Sequence, residues 1–359
     1  MSADLPAAFE LLPNRVWRTY LGGRTLDEWA GTETPEDAHF PEDWIGSVVP
    51  ARNIGREALT EEGLSRVMHH GQPVLLKDLI DQHPSAFLGP HAEAGRAAIG
   101  FLAKLLDSSI RLHIQAHPTR AFAKRRLGSD FGKAEGYVIL ATRPEVADPY
   151  VLIGFQRPPD RAAYRRAVLD QDIDKILEPF DRIPVGPGDV FYVPGGVPHA
   201  IGPGVMMLEV MEPSDLAVRL EFERGGYVLP ESARFMGHDV DLAMDLIDFS
   251  PRPIERVRAE CFAEPIERDP IGVASRSWAV IDDRLTDRFS VDRLEIDGEA
   301  QYTPRGFEVF LVTRGAGRLE GQGVSLDLCR GTRGVLRAEA GLIRLCSAEA
   351  PLEVLVVRS

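Results

Sequence analysis

The sequence predicts a mainly β chain: a jelly-roll barrel carrying helical insertions, followed by a second jelly-roll-like β domain. Three observations lead there. The stretch Gly188-Asp189-Val190-Phe191-Tyr192-Val193-Pro194-Gly195-Gly196-Val197-Pro198-His199 reads as turn, short apolar strand, turn, histidine, the way such a barrel aims an imidazole inward. From Ile110 to about residue 155, and again from Val205 to Leu220, the pattern favours strands, with a helical interval between. After Arg276 come short β-branched and aromatic runs separated by glycines such as Gly315, Gly317, Gly321 and Gly323.

Taken in order, Arg15–Leu21 and Asp43–Val49 read as strands, the second closed by Pro50. Thr60, followed by Glu61 and Glu62, reads as a helix N-cap with acidic residues in the first turn. Leu75, Leu76, Leu79 and Ile80 share one helical face, and Phe101, Leu102, Leu105 and Leu106 repeat that spacing with Lys104 on the other side. That second helix is expected to end at Asp107-Ser108-Ser109. Pro159-Asp160 opens a helix through Leu169, and Ile173 to Phe180 forms another.

The resulting division is 1–230 for the first domain, with helical insertions at about 56–108 and 158–182. A connector at 231–275, with a short helix from Val240 to Ile247, leads to a β domain at 276–359. The last histidine is His238, so the second β domain is expected to hold no metal.

Composition narrows the partners. With 44% hydrophobic and 27% charged residues, the 359-residue chain can bury a core. A net charge of −14 argues against nucleic acid or an anionic membrane, both of which need a basic footprint. Cys261, Cys329 and Cys346 are scattered, which suggests neither a disulfide framework nor a thiolate zinc site. No secretory signal pattern and no membrane-length apolar run is evident, so a cytoplasmic protein is expected.

The chemistry concentrates around Leu112-His113-Ile114-Gln115-Ala116-His117-Pro118. In a strand, His113, Gln115 and His117 share a face, and burying an unpaired amide or imidazole costs about 1–3 kcal/mol. A metal ion would satisfy such groups. Downstream, Gly132-Lys133-Ala134-Glu135 leads a carboxylate into an apolar strand. Gln115, His117, Glu135 and His199 together offer an amide oxygen, two imidazoles and one carboxylate, a set suited to zinc or another divalent ion.

These residues resemble the type I mannose-6-phosphate isomerase family of the cupin superfamily. The resemblance runs through Phe101–Asp107, Gln115-Ala116-His117-Pro118, Gly132–Glu135, Val151–Phe155, the 188–199 stretch and Ser214–Arg219. It implies a catalytic cupin barrel with zinc on Gln115, His117, Glu135 and His199, a catalytic arginine at Arg219 and a site lysine at Lys133. The implied reaction interconverts mannose 6-phosphate and fructose 6-phosphate through an enediolate. A Lewis acid and a permanently charged guanidinium both suit that anionic intermediate.

The proton carrier is either Glu209, a carboxylate in the apolar run Met206–Val210, or Lys133, which alternatively orients substrate. Two positions depart from the family pattern. His113 stands where the family has a serine near the substrate phosphate, either as a phosphate-binding cation or as a replacement for that contact. Tyr137, after the small Gly136, stands where the family has a tryptophan. The basic run Lys124-Arg125-Arg126 is a further source of positive charge for a sugar phosphate. An isomerase of a different or unphosphorylated sugar, or a cupin that binds sugar without turnover, are the alternatives. A dioxygenase would want a facial triad with open positions, which the glutamine and Arg219 do not suit.

Overall fold

The computed structural model describes residues 5–53, 55–93 and 99–359. The chain is mainly β. Its first part builds two antiparallel sheets that carry the candidate site residues on facing strands. The six-stranded sheet runs Val190–Val193, Glu135–Thr142, Val205–Met211, Leu102–Ser108, Glu42–Ile45 and Arg15–Val16. The five-stranded sheet runs Ile183–Pro184, Tyr150–Ile153, His199–Ile201, Gln115–Ala116 and Val218–Arg219.

Composition explains the centre of the larger sheet. Val205–Met211 is buried along its whole length and pairs on both sides, so it reads as an almost unbroken apolar run. Its neighbour Leu102–Ser108 corrects the sequence expectation of a helix ending at Asp107-Ser108-Ser109. All seven residues are buried, between Val205–Met211 and Glu42–Ile45. Apolar positions on both faces of a central strand mimic a helical stripe, and tertiary pairing decides between them. Lys104, expected on the outer side of a helix, is instead buried between two glutamates.

Thr60 does not cap a helix either: residues 60–63 form a turn, followed by the hairpin of Arg66–His69 and Gln72–Leu75. The helix Leu76–Gln82 then buries Leu76, Leu79 and Ile80, as the spacing predicts. The strand expected over 43–49 is shorter, Glu42–Ile45. Gly46 ends it at a positive φ of 66°, where a β-carbon would run into Val309. Of Arg15–Leu21 only Arg15–Val16 pairs as a strand.

The helical interval is present as Arg161–Asp170 and Ile173–Leu177. Asp160 and Asp172 cap them by accepting hydrogen bonds from the amides of Ala163 and Lys175. The short helix Val240–Leu246 is also present, joined by Glu231–Arg234 and Ile254–Cys261, which the sequence pattern did not reveal.

The C-terminal strands assemble into sheets of seven and four strands. The seven-stranded sheet includes one strand from the other end of the chain: Ala8–Glu10 pairs with Arg333–Leu336. Buried Arg337 anchors that crossing by donating to the carbonyls of Leu5 and Pro6. Gly136 has a packing reason to be small, since a β-carbon there would lie 2.8 Å from Ile281 and Phe289 of the C-terminal half. Among the described residues no helix is long and apolar enough to cross a membrane.

Candidate metal centre and active-site cavity

Strand register brings the candidate residues together. In the five-stranded sheet Gln115 pairs with His199 on one side and Arg219 on the other. Directly opposed residues of antiparallel strands point to the same face, so these three form a row. In the six-stranded sheet Tyr137 pairs with Glu209, and Glu209 with Lys104. Glu135, two residues before Tyr137, shares its face.

The two faces meet at Glu135. His117 Nε2 lies 3.1 Å from Glu135 Oε1, and His199 Nε2 lies 3.1 Å from Glu135 Oε2. All three side chains are buried, and their ligand atoms lie within 4.8 Å of one another. The Gln115 amide is 3.5 Å from His199 Nε2, and a half-turn of the amide presents its oxygen there instead.

These residues fit a metal ion. His117 Nδ1 donates to the Leu216 carbonyl at 2.8 Å, and His199 Nδ1 donates to the Val197 carbonyl at 2.9 Å. The neutral His117 ring then turns its Nε2 lone pair toward Glu135 Oε1. Burial brings the His117 pKa down to about 4 against the opposing pull of Glu135. Lone pairs facing lone pairs repel unless a cation lies between them. Glu135 Oε1 is moreover buried without a hydrogen-bond partner, although the Lys133 ammonium lies 3.0 Å away as an ion pair. The other oxygen accepts a 2.5 Å hydrogen bond from Tyr137. Burial opposes ionisation of Glu135, but His117 when its ring is protonated and the Lys133 ammonium overcome it and hold the pKa well below the usual range. Burial and Glu135 push the Tyr137 phenol well above its usual value, so it remains a donor.

Beside this cluster opens a cavity of about 400 Å³, within the range of small-molecule sites. Gln115, Lys133, Tyr137, Glu209, His113 and Arg219 all line it. Arg219 donates to the Ala233 carbonyl at 3.1 Å, and burial lowers its pKa against the pull of Asp215. Burial, with the charge of Glu135, pushes Glu209 up to about 8 despite Lys104 at 3.6 Å.

His113 is held differently from the cationic alternative. Its Nδ1 donates to the Glu221 carbonyl at 2.9 Å, and burial and Arg219 bring its pKa to about 4. It therefore faces the cavity as a neutral ring. The basic run does not reach the cavity: Lys124 is exposed beside Asp130, and Arg126 pairs with Asp245.

Sequence reasoning missed a charged network on the cavity wall. Glu42 accepts hydrogen bonds from Arg18 at 2.9 Å, Tyr20 at 2.6 Å and Trp44 at 2.7 Å. Burial opposes ionisation of Glu42, yet Arg18 and Lys104 hold its pKa at about 2. Asp215, 3.4 Å from Arg18, is likewise held well below the usual carboxylate range despite burial. The usable signal was Lys104 itself, a lysine inside an otherwise apolar run, which implies a buried partner of opposite charge.

A mainly β protein with a buried His-Glu-His cluster at a polar cavity belongs to the class that can hold a catalytic metal. Comparison with known proteins gives that class a direction. No family model matches the chain. It is 27% identical over 263 residues to a protein of Bacillus subtilis named a probable mannose-6-phosphate isomerase, covering 72% of this chain and 74% of that one. It is 29% identical over 217 residues to the mannose-6-phosphate isomerase of Streptococcus mutans, covering 59% and 60% of the two chains. In fold it is similar to the crystal structure of a mannose 6-phosphate isomerase from Bacillus subtilis. That likeness has a TM-score of 0.73 at 20% identity and covers 98% of this chain and 100% of the other. A phosphomannose isomerase variant from Salmonella typhimurium is similar with a TM-score of 0.70 at 15% identity, covering 98% and 99%.

Proposed function

We propose that this chain is a metal-dependent aldose–ketose isomerase of the type I mannose-6-phosphate isomerase family, interconverting mannose 6-phosphate and fructose 6-phosphate. The observation that carries the reading is the meeting of His117, Glu135 and His199 beside a cavity lined by Gln115, Lys133 and Arg219. Named relatives and fold neighbours support the same reaction. The paired sheets of the first part form the catalytic cupin barrel in this reading. The connector at 231–275 and the C-terminal β domain at 276–359 buttress it, and the cytoplasm is its compartment.

Gln115, His117, Glu135 and His199 would hold the ion, and their nitrogen and oxygen donors suit zinc. When bound, it supplies a Lewis acid to the sugar oxygens at the reacting carbons. Arg219 adds a second positive group where the enediolate oxygen becomes anionic. Glu209 takes the proton from C2 of the aldose and returns it to C1. Its pKa of about 8 keeps both protonation states accessible near neutrality. Lys133 is committed to an ion pair with Glu135, so it orients substrate hydroxyls rather than shuttling the proton. His113 offers a neutral ring to the sugar.

The test is a substrate panel with the chelated and zinc-reloaded chain: mannose 6-phosphate, fructose 6-phosphate, free mannose and other hexoses. Turnover of the two hexose phosphates only after reloading is expected. Binding without turnover across the panel would overturn the isomerase reading in favour of a sugar-binding cupin.

A further inference from the structure

The charges around the cavity are not equally committed. Lys104 lies between Glu42 and Glu209, Lys133 is paired with Glu135, and Arg18 is engaged by Glu42 and Asp215. Two guanidinium groups on the cavity wall have no carboxylate partner among the described residues, Arg219 and Arg52. They differ in position. Arg219 stands in register with Gln115, in the row that ends at His199. Arg52 is exposed, in the segment after Pro50, and so marks the mouth of the same cavity.

We propose that Arg52 is the phosphate-binding residue of the site, taking the phosphomonoester of the hexose phosphate at the cavity mouth. This rests on the isomerase reading for the orientation of the sugar. A hexose 6-phosphate carries its reacting carbons and its phosphate at opposite ends. With C1 and C2 at the Gln115–Arg219 row, the phosphate points away from the buried cluster toward solvent. A dianion there meets the guanidinium that no carboxylate competes for, and a planar fork of donors matches phosphate oxygens. His113, whose Nδ1 is engaged by the Glu221 carbonyl, and the solvent-directed Lys124–Arg126 run leave that task to Arg52. Exposure also explains why the sequence concealed it, since Arg52 stands between Ala51 and Asn53 with no motif around it.

The test uses the zinc-loaded full chain with Arg52→Ala and Arg52→Lys, and Lys124→Ala as a basic-surface control. Arg52→Ala is expected to raise KM for mannose 6-phosphate by about tenfold or more, with a much smaller fall in kcat, the signature of lost ground-state binding. Competitive inhibition by inorganic phosphate should weaken in parallel. Arg52→Lys should recover part of both, and Lys124→Ala should change neither. An unchanged KM and unchanged phosphate inhibition in Arg52→Ala would overturn the assignment. If the zinc-loaded parent turns over no hexose phosphate, the isomerase reading fails separately. Calorimetry of inorganic phosphate binding to the parent and Arg52→Ala then decides the inference, and equal affinities would overturn it.

Discussion

Replacing Tyr137 by phenylalanine isolates the support behind one proposed metal ligand, Glu135. The phenol donates a 2.5 Å hydrogen bond to Glu135 Oε2, and both residues are buried. Without it, that oxygen keeps only the His199 ring at 3.1 Å. A hydrogen bond to a charged group contributes about 1.5–3 kcal/mol. Loss of a partner that orients a metal ligand typically weakens metal binding about 10–100-fold, which is a similar energy. The expected result is therefore zinc affinity weaker by about 30-fold, or about 2 kcal/mol. The phenyl ring retains the shape that stacks on Phe191 with centroids 4.7 Å apart, so the fold should hold. Competition between the protein and a chelator of known affinity, measured for parent and Tyr137→Phe, gives the ratio. Affinities within about twofold would refute the claim that Tyr137 holds Glu135 as a ligand.

Arg219→Ala should retain stoichiometric zinc and lose about 100-fold in turnover, read by metal analysis and initial rates; an unchanged rate would remove Arg219 from the chemistry. Acid should act on the buried histidines. His113 and His117 have pKa values of about 4 in the fold, whereas an unfolded histidine titrates near 6.5. Between those values the unfolded chain binds protons that the folded chain does not, so stability falls as pH drops from about 6.5 toward 4. The loss is up to about 3 kcal/mol for each ring. Melting temperatures of the metal-free chain across that window should decline, and a flat profile would contradict the burial argument. Proton competition for His117 should begin near pH 4 rather than at the 6.5 expected of a free ring.

The site was more legible in the sequence than the fold around it. Gln115, Glu135 and His199 lie on strands and His117 directly follows one, all polar residues where burial demands a partner, so their chemistry shows in one dimension. Lys104 shows the opposite case. Its strand is buried on both faces, and such a run has no period to separate it from a helix. The Glu42–Arg18–Asp215 network was hidden because its members are scattered along the chain and meet only in the folded structure. Ala8–Glu10 was hidden for the same reason, since its partner Arg333–Leu336 lies at the other end of the chain. Tyr137 and Gly136, visible only as departures from a family pattern, acquire separate reasons: a hydrogen bond to Glu135 and room for Ile281 and Phe289.

Zinc content per chain, compared between the parent and His199→Ala after identical reloading and desalting, tests the shared-ion claim most directly. One zinc per parent chain and almost none in the variant is the predicted outcome. A full equivalent retained by His199→Ala would mean that the ion, and the chemistry built on it, lies elsewhere.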